Sequence, residues 1–193
     1  MSSYSRQQLE AWMKTIDVKA DKVLDVGGAQ KEILSRTKTW HVGEYKVLDL
    51  EEPHEMGRKA DIICDLNERK DFNEQYRSHF DIAFCLEVSE YWWNPLQALE
   101  NIKSLLVVGG TLYISFHLIY PLHNPKDEDC LRYTESGAVK LLSKAGFNVK
   151  DIKYRTTQNA SIEAFYGAEG MRPAKDYKRH DVIGFLITAT RDR

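Results

Sequence analysis

FDIAFCLEVSEYWWNPLQALENIKSLLVVGGTLYIS, residues 80–115, holds two apolar runs with one amphipathic segment between them. FDIAFCL is short, apolar and followed by polar residues, as a buried strand would be. Asn94-Pro95 then opens a helix: Asn suits the cap, Pro the first helical position, and Gln97 the reciprocal capping position. Leu96, Leu99, Ile102, Leu105 and Leu106 fall on one helical face, and Gly109-Gly110 ends the segment before TLYISFHLIY resumes as a strand.

The same alternation extends in both directions. A helix over 5–16 starts from Ser5 and Gln8 at capping-box spacing and carries Leu9, Trp12 and Met13. KVLDV is the first strand, AQKEILSRT a helix, YKVLDL the second strand, ADIICDL the third, and FNEQYRSH a short helix. After residue 120, Thr134 caps a helix with Val139, Leu141, Leu142 and Ala145, and Gly146 suits its left-handed stop. FNVKDIKY and DVIGFLITAT close the chain as strands. Apolar strands alternating with amphipathic helices predict a mostly parallel α/β sheet covered on both faces, in one domain over 1–193 with an N-terminal helix in 1–20.

The chain has 193 residues, 42% hydrophobic and 11% aromatic, enough for one substantial core. A net charge of −2 argues against binding to long nucleic acids. No apolar run reaches membrane-spanning length, and MSSYSRQQLEAW lacks the basic-then-apolar pattern of a signal peptide, so a cytoplasmic protein is expected. Cys64, Cys85 and Cys130 have no metal or disulfide spacing, and no metal is expected.

In parallel sheets, ligands bind beyond the carboxyl ends of the strands, where strand order reverses. The residues there are Asp25-Val-Gly27-Gly28-Ala29, Asp49-Leu50, Asp65-Leu66 and Cys85-Leu86-Glu87. An acid ending the second strand is placed to accept hydrogen bonds from ribose hydroxyls. DVGGAQ lacks the three spaced glycines that a pyrophosphate requires. A phosphate-free cationic nucleoside, S-adenosylmethionine, suits three successive strand-end acids better: Asp25 toward its ammonium, Asp49 toward the ribose and Asp65 toward the adenine amino group.

The order of these motifs resembles the class I S-adenosylmethionine-dependent methyltransferases, from about Val23 to Thr190. Residues 80–115 are similar to that family's fourth strand, its E-V-x-E-H turn with Tyr91 in place of the His, the next helix, and the Gly-Gly turn into strand five. HNPKDEDCLRYTESGAVKLLSKAGF resembles a subgroup acting on small molecules and sugars. The resemblance implies a Rossmann-like, seven-stranded sheet with the last strand antiparallel. It also implies S-adenosylmethionine as cofactor, held by Asp25, Gly27, Gly28, Ala29, Asp49, Leu50, Asp65, Leu66 and Cys85, and a small-molecule acceptor. Ala29 and Lys31 depart from the family's second and third glycines, and Lys31 either lies in the helix or pairs with the cofactor carboxylate.

A hydroxyl acceptor must lose a proton, so a base within reach helps. His123 and His117 flank the end of strand five and are the candidate bases; Tyr91, Asp129 and Arg132 are candidate acceptor contacts. Trp92 and Trp93 either stack on a ligand ring or pack over the sheet, and His54 reads as a surface residue. Arg172, Lys175, Lys178, Arg179 and His180 are either solvated charge or a site for a phosphate or carboxylate. The alternative to an enzyme is a non-catalytic methyltransferase-like scaffold with a degenerate loop.

Overall fold

The computed structural model describes residues 3–54, 57–157 and 182–193. Seven strands form one sheet: β1 (Asp17–Val26), β2 (Thr39–Asp49), β3 (Ile62–Ile63), β4 (Phe80–Cys85), β5 (Leu106–His117), β6 (Phe147–Thr156) and β7 (Val182–Arg191). Their order is β3-β2-β1-β4-β5-β7-β6. β1 pairs in parallel with both β2 and β4, whereas β7 runs antiparallel between β5 and β6. The chain thus winds outward one way from β1 and then the other way from β4. The reversal opens a crevice between the ends of those two strands.

Among the described residues three α-helices cover the sheet: α1 (Tyr4–Met13), α2 (Pro95–Leu105) and α3 (Glu135–Lys144). Successive residues of one strand feed opposite faces. Leu24 and Ala83 pack with Leu99, Ile102 and Leu105 of α2 and Leu142 of α3. Their neighbours Val23 and Phe84 pack with Leu9 and Met13 of α1. Each such aliphatic residue, fully buried, contributes about 1.5–3 kcal/mol.

The α/β expectation holds, and so do the caps of α3. Thr134 Oγ1 accepts from the Gly137 amide at 3.1 Å, and Gly146 takes φ +84°. Two other caps differ. Ser3, not Ser5, caps α1, while Gln8 both donates to and accepts from the Thr156 backbone and ties α1 to β6. Asn94 makes no side-chain cap; its Nδ2 donates to the Asn67 carbonyl at 3.3 Å.

The larger correction concerns AQKEILSRT, which forms turns and no helix. Ile33 is drawn inward because its amide donates to Asp25 Oδ2 at 2.7 Å. Glu10 of α1 then gathers Lys31 and Arg36 at 3.2 and 3.0 Å. The Ile33 amide and the Ala29 carbonyl, which would pair in a helix, are instead taken by Asp25 and the Arg58 amide, and these tertiary bonds outweigh local propensity. FNEQYRSH likewise yields only one short turn of 3₁₀ helix, Glu74–Tyr76. β1 and β2, in contrast, extend well before KVLDV and YKVLDL.

Candidate functional site

A cleft of about 790 Å3 opens at the β1–β4 reversal. The loops after β1, β2, β3, β4 and β5 supply its walls. The β1 loop enters it through Gly27, whose φ of +72° favours glycine. A Cβ on Gly27 would lie 2.4 Å from a Val88 methyl, and one on Gly28 2.4 Å from Asp25 Oδ2. The two glycines are therefore required by close approach, whatever ligand is bound.

The replaced glycine positions have a covering of their own. The Ala29 carbonyl accepts from the Arg58 amide at 2.8 Å, and Gly57 lies against that carbonyl so closely that a Cβ would meet it at 1.8 Å. Ala29 is buried, and Lys31 pairs with Glu10, away from the cleft. Residues 27–38 form turns, so the β1 loop does not lead into a helix, and among the described residues the usual electrostatic seat for a pyrophosphate is missing there.

Asp49 stands at the cleft with its carboxylate set by two backbone amides: Ala29 N donates to Oδ2 at 3.0 Å and Leu50 N to Oδ1 at 2.8 Å. Each oxygen retains a lone pair for a ligand hydroxyl. Asp65 also lines the cleft, its Oδ1 accepting from the Asn67 amide at 2.9 Å. Leu50 and Leu66 add apolar wall, as do Trp92 and the exposed Trp93.

Asp25 points elsewhere. Its Oδ2 accepts from Ile33 N and, at 2.6 Å, from the Tyr45 hydroxyl, and its side chain does not line the cleft. Burial outweighs these bonds and pushes its carboxyl up to about 6. Between the unfolded value near 4 and 6 the folded state holds the extra proton, so this group's contribution to stability falls as pH rises through that window. Asp25→Ala leaves an amide and a hydroxyl unpaired. It should lower unfolding free energy by about 2–3 kcal/mol in denaturant titrations, with ligand affinity changed less than by Asp49→Ala. Gly28, Ala29 and Cys85, also expected around the ligand, lie behind the lining.

The opposite half of the cleft is polar and aromatic. Tyr91 lines it, its hydroxyl donating to the Asn124 carbonyl at 2.7 Å. His54, expected at the surface, lines it too; its Nε2 lies 2.9 Å from Glu128 Oε2, joining the β2 loop to the β5 loop, and its ring packs on Tyr91. Asp129 accepts from the His123 amide at 2.7 Å and pairs with Arg132, which also donates to the Tyr120 carbonyl. Neither Asp129 nor Arg132 lines the cleft; together they brace the loop that carries His123.

The two candidate bases separate. His123 is a quarter exposed and lines the cleft, whereas His117 is 1% exposed and lies behind it. Between them stands Glu90, also buried, with Oε1 2.7 Å from His123 Nδ1. Glu87 enters the cleft wall in a left-handed conformation, φ 62°, which costs a non-glycine residue about 1–3 kcal/mol. Its amide donates to Ser115 Oγ at 2.7 Å and its carboxylate accepts from fully buried Arg155 at 2.6 Å, fixing that conformation. Glu87, His117 and His123 each offer one metal-ligating atom within 4.8 Å of the others, a cluster not expected from the sequence.

Sequence reading placed Glu87 at a strand end but gave it no role, and it missed Glu90 and Arg155. The only signal was an acid-rich turn, LEVSEY, after a buried strand. The basic group at 172–180 lies outside the described residues. No helix among the described residues is long and apolar enough to cross a membrane.

No protein-family model and no curated protein matches the chain. Solved structures do. An S-adenosylmethionine-dependent methyltransferase from Mesorhizobium loti matches with a TM-score of 0.62 at 15% identity, over 97% of this chain and 98% of its own. A methyltransferase from Bacillus halodurans, itself assigned only provisionally, gives 0.59 at 14% identity, over 98% and 100%. The Burkholderia thailandensis 1,6-didemethyltoxoflavin N1-methyltransferase, solved with its substrate and S-adenosylhomocysteine, gives 0.57 at 17% identity, over 98% and 77%. The strand order, the antiparallel β7 and these likenesses agree: the chain has the α/β fold of the class I S-adenosylmethionine-dependent methyltransferases.

Proposed function

We propose that this chain binds S-adenosylmethionine and transfers its methyl group to a small-molecule acceptor, a sugar or other hydroxyl compound. The observation that carries the reading is the cleft at the strand-order reversal, with Asp49 preset by two amides and Asp65 beside it. Gly27, Leu50 and Leu66 would complete the cofactor side; Tyr91 and His123 would face the acceptor. The donor set fits a cationic, phosphate-free nucleoside, because carboxylates line the cleft and the β1 loop has no helix N-terminus.

The cofactor supplies an electrophilic methyl on a sulfonium. The protein's part is to orient the acceptor, exclude water and take a proton. His123 would accept the hydroxyl proton as the acceptor oxygen becomes the nucleophile. The proton then resides on the imidazolium beside Glu90 before passing to water.

The test is titration calorimetry with S-adenosylmethionine and S-adenosylhomocysteine, comparing wild type with Asp49→Ala. Binding in wild type should weaken at least tenfold in the variant, about 1.4 kcal/mol or more. Production of S-adenosylhomocysteine with a hydroxyl-bearing acceptor panel then identifies the substrate. Wild type showing no heat at millimolar ligand would overturn the reading in favour of a scaffold.

A further inference from the structure

Behind His123 runs a line of buried charged groups that methyl transfer does not touch. Arg155 on β6 donates to Glu87, through Nη1 at 2.6 Å and Nη2 at 3.2 Å. His117 Nε2, at the end of β5, lies 3.3 Å from Glu87 Oε2 and 3.4 Å from Glu90 Oε1, within ion-pair distance. Glu90 Oε1 in turn meets His123 Nδ1 at 2.7 Å. Among the described residues, neither ring nitrogen of His117 has a hydrogen-bond partner, nor has Glu90 Oε2. Four elements thus converge: the β4–α2 turn, β5, the loop after β5, and β6.

Counting charge decides what this cluster holds. Two carboxylates, Glu90 buried and Glu87 13% exposed at the cleft wall, face one buried guanidinium, which leaves one negative charge where an unbalanced charge is disfavoured. A proton on His117 makes the cluster neutral. A divalent metal on Glu87, His117 and His123 would make it positive by one, since Arg155 already occupies Glu87. Burial pulls the His117 imidazole down, but Glu87 and Glu90 override it and push it up to about 9. The other groups nearby are Tyr120, whose ring lies 4.3 Å from that of His117, and Ser115, Cys85, Tyr91 and Asp129.

We propose that Glu90 is the positioning residue for His123, kept ionised by a protonated His117 behind it. An ionised carboxylate only accepts, so His123 must donate from Nδ1, and its bare Nε2 is left for the cleft. Glu90 thereby selects the tautomer able to take an acceptor proton. The catalytic consequence presupposes the methyl-transfer reading above; the tautomer and the charge on His117 do not.

The two parts are read separately by NMR of protein labelled with 15N-histidine, with resonances assigned through single His→Gln variants. In wild type at pH 7, His117 should show two protonated nitrogens and titrate only near pH 9, and the neutral form of His123 should carry its proton on Nδ1, facing Glu90. In Glu90→Gln, His123 should populate both tautomers and kcat should fall about tenfold with the S-adenosylhomocysteine Kd unchanged. A neutral tautomer of wild-type His123 protonated on Nε2, or a neutral His117 at pH 7, overturns the proposal without recourse to any variant. So does a stoichiometric shift of both imidazoles on adding Zn2+ or Mn2+, which would mark a metal centre. Failure of S-adenosylhomocysteine to bind, with the tautomer as expected, would overturn the methyl-transfer reading alone.

Discussion

Arg155→Met should cost about 3–5 kcal/mol of stability, read as a lower denaturation midpoint at unchanged slope. Methionine replaces most of the aliphatic stem, so the loss is of charge and not of packing. Arg155 is fully buried and its main partner is Glu87, held well below the usual carboxylate range: burial raises that carboxyl, and His117 and Arg155 more than offset it. Without the guanidinium, Glu87 and Glu90 share only the proton on His117, and one negative charge is left over. Arg155→Met combined with Glu87→Gln restores neutrality, since Glu90 and the His117 imidazolium then balance. The double variant should recover most of the loss. Recovery distinguishes a charge-balanced cluster from a site where any change is harmful.

The same cluster gives stability a pH signature. The folded-state value for His117 is raised above the unfolded one, so its contribution is complete below about 6.5 and declines as pH rises through about 9. Thermal midpoints of wild type should therefore fall between pH 7 and 9.5. His117→Gln should flatten that decline while lowering the midpoint at pH 7.

Which of these residues could be read from the chain depended on the range of their interactions. α2 and α3 were legible because their apolar spacing and terminal Pro, Thr and Gly act locally. Asp49 was legible because a buried strand ends on it. Residues 29–37 misled because Ile33 and Leu34 satisfy helical spacing, while the bonds that straighten the segment come from Asp25, Glu10 and Arg58. The outer halves of β1 and β2 were hidden by charged residues such as Lys19, Asp21 and Glu44 alternating with apolar ones, which blurs the buried-strand signal. Arg155 follows the expected strand FNVKDIKY and carried no signal of its own, yet β6 extends to Thr156 and the sheet brings Arg155 to a carboxylate 68 residues earlier. His117 stood in an apolar run. A buried histidine there demands a compensating acid, but the sequence offers too many acids to choose among.

His123→Ala should lower kcat for a hydroxyl acceptor by about 10²–10⁴-fold, the range over which a positioned base acts. The S-adenosylhomocysteine Kd should stay within about twofold, because His123 lies across the cleft from Asp49, Leu50 and Asp65. A parallel rise in that Kd would mean that the β5 loop had collapsed, and Asp129 with Arg132, which brace it, would then be the residues to restore. The size of the effect also reports on the acceptor. A hydroxyl oxygen must shed its proton during attack, whereas a neutral amine attacks through a lone pair it already has and loses its proton afterwards. A loss below tenfold would therefore point to a nitrogen acceptor, with His123 retained for binding. A loss above a hundredfold, matched by His123→Gln but reduced about tenfold in Glu90→Gln, would place the base and its positioning carboxylate in the order in which the structure stacks them.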